Sequence, residues 1–283
     1  MKKTVALILF LIAFSSLSFS QISDVEKTAL IDFYKSTNGK NWNISWNLKK
    51  DVTSWYGVTI ENNSVTGINL SMNNLKGSIP SSIGNLKSLK HLNLGFNKID
   101  GVIPAELTTI SSLETLQLYM NQIGGDIPSN IGALKNLKKL VLYNNNITGN
   151  LPNSIYNLAK LEVLHLSSNK LIGIISPEIK SLKNLKVLSL LDNSMFGFIP
   201  DELSDLSNLK VLALANNVFE GEIPSKLGKL TSLEVLLLNN NKFVGNIDSS
   251  INNLPLLTNF EYKNAGVTNL KNTTVSQATY KPE

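Results

Sequence analysis

The side chains able to do chemistry in this chain are few and far apart. His91 and His165 are its two histidines, and it contains no cysteine. Acid–base catalysis, metal binding and nucleophilic attack each need several such groups converging on one point. The two histidines fall on outward positions of strand-like segments three repeats apart, roughly 14 Å at ordinary strand spacing, too far to share a metal. Asp192 and Glu162 lie on the same face, but one ends a strand and the other sits beside lysines, so both read as structural ion-pair residues. No phosphate loop and no serine at a strand–helix elbow is present. The expectation is a chain without catalytic residues, metal or other cofactor. Asn43-Ile44-Ser45, Asn62-Asn63-Ser64, Asn146-Ile147-Thr148 and Asn272-Thr273-Thr274 match the glycosylation sequon, as chance allows in an asparagine-rich chain.

With 283 residues, 42% of them apolar, the chain can bury a sizeable core. Lys2 and Lys3 precede an apolar run, Val5 to Phe14, that closes on Ser18-Phe19-Ser20. This is the pattern of a signal peptide over 1–20, cleaved near Ser20, and it is too short to span a bilayer. No later stretch is long and apolar enough to anchor the chain in a membrane. Removing the two signal lysines leaves 24 basic against 21 acidic residues, a net charge of +3. That excess is too small, and too scattered, to indicate nucleic acid. An exported chain without cysteine must be held by packing alone.

What positions any site is a repeat of 24 residues. Asn73, Asn97, Asn121, Asn145, Asn169, Asn193, Asn217 and Asn241 form an unbroken column, and four residues after each stands Gly77, Gly101, Gly125, Gly149, Gly173, Gly197, Gly221 or Gly245. Three residues later comes proline, replaced by Ser176 and Asp248 in two repeats. Such a period dictates a solenoid. The alternation in "LKHLNL" is a strand pattern, and strands one repeat apart pair in parallel at ~4.8 Å. Where the backbone turns away from that sheet its N–H and C=O groups lose their partners, and a buried asparagine amide carries both a donor and an acceptor to satisfy them. The glycines mark a backbone conformation that a Cβ hinders, and the prolines open a short helical turn.

The pattern LxxLxxLxLxxNxLxGxIPxxLgxL over 65 to about 270 resembles the plant-type leucine-rich repeat of receptor-kinase ectodomains and polygalacturonase-inhibiting proteins. The resemblance implies an α/β solenoid, a right-handed curved superhelix with a parallel sheet on its concave side; it implies no single function. Residues 21–64 read as an amino-terminal cap. There Ser23 and Glu26 form a capping box that opens a helix, the tryptophans Trp42, Trp46 and Trp55 follow, and a hairpin of strands 57–60 and 65–70 leads into the repeats. Trp55 to Thr59 resembles the W-x-G-V-T run of the plant cap, but Thr53 and Ile60 stand where the plant cap carries cysteines. That departure points to a bacterial exported relative whose cap is held by tryptophan packing. Eight repeats over 65–254, a closing cap over 255–270 and a loose tail over 271–283 complete the expected organisation.

On the concave sheet the positions between leucines face outward and are free to vary, so binding would reside there. Lys90, Glu114, Lys138, Glu162, Lys186, Lys210 and Glu234 form one column, read as a solvated ladder of opposite charges. Three further columns bring together Met72, Phe96, Tyr119, Met120, Val141, Tyr143 and His165, a patch of roughly a few hundred Å² and near the limit for a surface without a partner. It reads either as a site for a protein, peptide or glycan ligand, or as side chains lying flat to fill space between strands. The carboxyl-terminal half of the face is expected to be small and polar. The expected role is a monomeric recognition module, with an adhesive spacer or an enzyme inhibitor as rivals; ice binding wants a regular threonine or asparagine array that these columns lack.

Overall fold

The computed structural model describes residues 22–262. The segment read as a signal peptide, the second half of the expected closing cap and the tail lie outside the described residues. Ten strands form one sheet, antiparallel only between Val58–Glu61 and Ser64–Asn69 and parallel from there to Asn259–Glu261. Every parallel step is one repeat in perfect register, for example Leu92 opposite Leu116 and Leu116 opposite Leu140. These inward leucines are fully buried in one continuous core, as their period-2 alternation requires.

The asparagine column does what its chemistry demands. From Asn97 to Asn241 each Oδ1 accepts the N–H of the residue 22 positions earlier at 2.9–3.0 Å. Each Nδ2 donates to the carbonyl 27 positions earlier at 2.9–3.1 Å and again to a carbonyl of its own turn. Asn73 is different, because the turn before it is the cap: its amide exchanges two bonds with the backbone of Ile44.

All eight column glycines have positive φ, between 66° and 115°. Space is a second reason for them. A Cβ on Gly197 would stand 2.9 Å from Ile174 Cγ2, because the residue after each glycine leans over the glycine of the next turn. The prolines precede 3₁₀ turns such as Ser81–Asn85 and Asp201–Asp205. Where proline is missing a capping side chain takes over: Ser176 accepts from Glu178 N–H and Asp248 from Ser250 N–H.

In the cap, helix Asp24–Ser36 starts at Ser23, whose side chain accepts from Glu26 N–H. The other half of the expected capping box is not made. The Glu26 carboxylate instead takes the Ser23 hydroxyl and the buried N–H of Val65, tying the helix to the hairpin. Trp42, Trp46 and Trp55 are all buried, with ring centroids 4.9 Å and 4.7 Å apart in sequence.

Candidate functional site

Each repeat gives the concave sheet a three-residue strand with its middle leucine inward, so two outward columns run across the sheet. One passes through His91, Thr115, Lys139, Val163, Val187, Val211 and Val235. The other passes through Asn93, Gln117, Val141, His165, Ser189, Ala213 and Leu237. The register thus separates the two histidines by column as well as by three strands.

The first of these columns was missed in the sequence, and it changes the character of the face. Val163 and Val187 are buried together with Tyr119 and Val141, and Met120, Tyr143 and Val211 pack against them in a second apolar cluster outside the main core. Further on, Ala213 and Ala215 are buried. The carboxyl-terminal half is therefore more apolar than the small, polar surface expected, although Ser167 and Ser189 remain on it, bonded to each other at 2.6 Å. A valine every 24 residues from Val163 to Val235 was the available signal, since β-branched residues favour outward strand positions against neighbours.

The column of Met72, Phe96 and Met120 also differs from expectation. These residues, with Asn144, Ser168, Asp192, Asn216 and Asn240, have φ between 53° and 60°, a left-handed turn that ends each strand. They form a rim instead of a strand face. On the later turns this rim bonds to itself: Ser168 Oγ donates to Asp192 at 3.3 Å, Asn216 donates to Asp192, and Asn240 Nδ2 donates to Asn216 at 2.6 Å. At the opposite rim the charges form discrete pairs, Lys90–Glu61 at 3.0 Å, Lys138–Glu114 and Lys186–Glu162 at 2.7 Å, and Lys210–Glu234 at 2.9 Å.

Between the rims runs a column of rings. Phe96 meets Tyr119 edge-on at 5.4 Å, Tyr119 stacks on Tyr143 at 4.9 Å, and Tyr143 stacks on His165 at 4.4 Å. The spacing is that of the strands beneath, so Tyr119, Tyr143 and His165 cover each other's faces, while Phe96 stands at an angle to them at the end of the column. Gly95 makes this possible, because a Cβ there would stand 2.5 Å from the Tyr119 ring. Burial raises the phenol pKa of both tyrosines, which stay protonated donors.

The sequence-predicted residues divide accordingly. Phe96, Tyr119, Tyr143 and His165 come together in the ring column, and Met120 packs beside them. Val141 is 0% exposed and Tyr119 7%, so they support the face from below and offer a ligand little surface. Met72 is 69% exposed on the rim, two strands from Tyr119.

His165 Nδ1 is buried without a hydrogen-bond partner. Desolvation pushes its pKa down to about 4 from 6.5. The unfolded chain therefore takes up this proton before the folded one, so stability is lost as pH falls from 6.5 toward 4. His165→Phe is expected to flatten the thermal midpoint across that window. Below it, carboxylates such as Glu114, whose carboxyl the Lys138 bond holds below its usual range, take over the acid sensitivity. An unchanged pH profile in the variant would mean that the ring is solvated.

The family profile described as "Leucine-rich repeat region" matches residues 68–195 and 121–217, and the profile "Leucine Rich Repeat" matches 208–230 and 232–254. The chain belongs to the leucine-rich repeat family. It is of the plant type. Over 88 residues, 30% of its length, it is 38% identical to the Leucine-rich repeat receptor protein kinase EMS1 of Arabidopsis thaliana, of which the match covers 7%. Among solved structures it resembles the ectodomain of the Arabidopsis thaliana receptor kinase GASSHO1/SCHENGEN3, determined in complex with CASPARIAN STRIP INTEGRITY FACTOR 2. The TM-score is 0.80 at 35% identity, covering 83% of this chain and 29% of that one. A second is the plant peptide hormone receptor RGFR1 in complex with RGF2, with a TM-score of 0.66 at 38% identity, covering 67% and 30%. This leucine-rich repeat chain thus spans less than a third of the length of these relatives.

Proposed function

We propose that the chain is an exported, non-catalytic recognition module that binds a peptide or extended protein segment across its concave face. The observation that carries this reading is the ring column, Phe96 to His165, running into the apolar floor of Val187, Val211 and Ala213. The solenoid does not need it: the leucines and the asparagine ladder already close the stack. The peptide hormone receptor among its structural relatives favours the same reading. A glycan is the poorer ligand, because sugar rings stack on open aromatic faces and the faces of Tyr143 are covered on both sides by Tyr119 and His165. Phe96, Met120, Tyr143 and His165 supply contact edges, Tyr119 and Val141 hold them in place, and Met72 extends the rim.

The proposed organisation is a signal peptide over 1–20, a cap over 21–64, eight repeats over 65–254, a closing cap over 255–270 and a tail over 271–283. Among the described residues no helix is long and apolar enough to cross a membrane. The cap without cysteines supports a bacterial exported relative of the plant proteins, acting as a monomer.

Panning a random peptide library and probing a glycan array with the purified chain tests this. Peptides should be retained and glycans not, and the double variant Phe96→Ser with Tyr143→Ser should lose about tenfold or more in affinity. Its thermal midpoint should move only slightly, since both side chains are partly solvated. Retention of the same peptides by the variant would remove the ring column from consideration, and self-association without peptide binding would favour an adhesive spacer.

A further inference from the structure

The face that carries the glycine column has its own exposed apolar surface, unrelated to the concave sheet. Ile172 and Ile174 flank Gly173, and Phe196 and Phe198 flank Gly197 on the next turn, between 45% and 67% exposed. They form one row. Ile174 lies over Gly197, and Phe198 lies over Gly221, where a Cβ would stand 2.4 Å from the ring. The same positions on other turns are mostly polar: Thr148 and Asn150 before the row, Glu220 and Glu222 after it. Leucine packing does not explain the clustering, since these side chains point away from the core.

A groove of about 780 Å³ opens beside the row, lined by Phe198, Ile199, Glu222, Ile223 and Asp248 among others. Its charge is acidic in a chain whose net charge is +5. Asp201 is satisfied by Lys226 at 2.6 Å. Among the described residues the carboxylates of Glu220 and Glu222 make no hydrogen bond or ion pair, although Glu220 lies across the small second sheet from Lys242. Unpaired carboxylates beside exposed phenylalanines suit a partner that brings cations on an apolar body.

We propose that this lateral groove is a second docking surface, and that its occupant is a protein segment carrying aliphatic or aromatic side chains next to lysine or arginine. The apolar side chains cover Ile174, Phe196 and Phe198, and the cation pairs with Glu222. Ligands of the concave face and of this surface bind independently.

The test is a random peptide library panned on the whole chain, with clones sorted by variant. A class of clones should combine basic with apolar residues and bind more weakly as salt is raised. Phe198→Ser and, separately, Glu222→Lys should each weaken that class by about tenfold. The concave double variant should leave it unchanged. Glu222→Lys removes nothing from the core, so its effect cannot be ascribed to unfolding. The proposal is overturned if no clone depends on Phe198, or if the dependent clones lack basic residues. It is equally overturned if sedimentation shows a dimer that Phe198→Ser dissolves, which would make a second copy the occupant.

Discussion

Asn169→Ala should lower the unfolding free energy by about 3–5 kcal/mol, because two to three buried backbone groups lose their partners at about 1–3 kcal/mol each. Asn169 Oδ1 accepts from Ile147 N–H at 3.0 Å, and Nδ2 donates to the carbonyls of Leu142 at 3.1 Å and Leu166 at 3.0 Å. Alanine fills none of these roles, and although Asn169 itself is half-buried, its partners Leu142, Ile147 and Leu166 are buried in the core. An interior turn of a solenoid has neighbours on both sides, so weakening it loosens two interfaces together. For a chain of this size the thermal midpoint should drop by about 10 °C. Asn146→Ala supplies the control, since Asn146 is exposed and its side chain makes no bond in the ladder; it should change stability by less than about 0.5 kcal/mol. Urea unfolding followed by circular dichroism measures both. A loss for Asn169→Ala as small as the control's would mean that the stack does not depend on its amides.

The same amides explain why the fold was legible and the face only partly so. Identical backbone geometry on every turn imposes identical chemistry, and that leaves columns of asparagine, glycine and proline that any reader of the sequence can align. The outward positions obey no such constraint. Val163, Val187, Val211 and Val235 repeat as regularly as the leucines, yet the charged column from Lys90 to Glu234 precedes them by one residue and masks them, because alternating charges mimic an exposed strand face. The left-handed rim was hidden in a related way. Asn144, Asp192, Asn216 and Asn240 are residue types that tolerate positive φ, but Met72, Phe96 and Met120 are not, and those three stand first in the chain. The ring column combines three sequence columns, with Phe96 from the rim, Tyr119 and Tyr143 from the position before it, and His165 from the strand. Such an assembly becomes visible only when curvature and turn geometry bring the columns together.

The cap tests whether aromatic packing can stand in for a covalent link, and Trp46 is where that test is sharpest. Its indole sits between Trp42 and Trp55, stacks on Trp55 at 4.7 Å, and donates from Nε1 to the Tyr56 carbonyl at 2.8 Å. Trp46→Ala should cost about 3–5 kcal/mol as a large aromatic deletion in a packed site. The damage should spread, because the cap is bonded to the first repeat through Asn73 and Ile44, through Glu26 and Val65, and through Lys76 N–H and the Thr37 carbonyl. Limited proteolysis should accordingly cut the hairpin region first, before the later repeats. Trp55 separates packing from hydrogen bonding: its Nε1 is buried without a partner, so phenylalanine removes an unsatisfied donor there. Trp46→Phe, by contrast, strands the Tyr56 carbonyl, and should be about 1 kcal/mol more destabilising than Trp55→Phe. Equal effects would assign the cap's strength to ring contact alone, whereas the opposite order would require that Trp55 Nε1 finds a water the packing has room for.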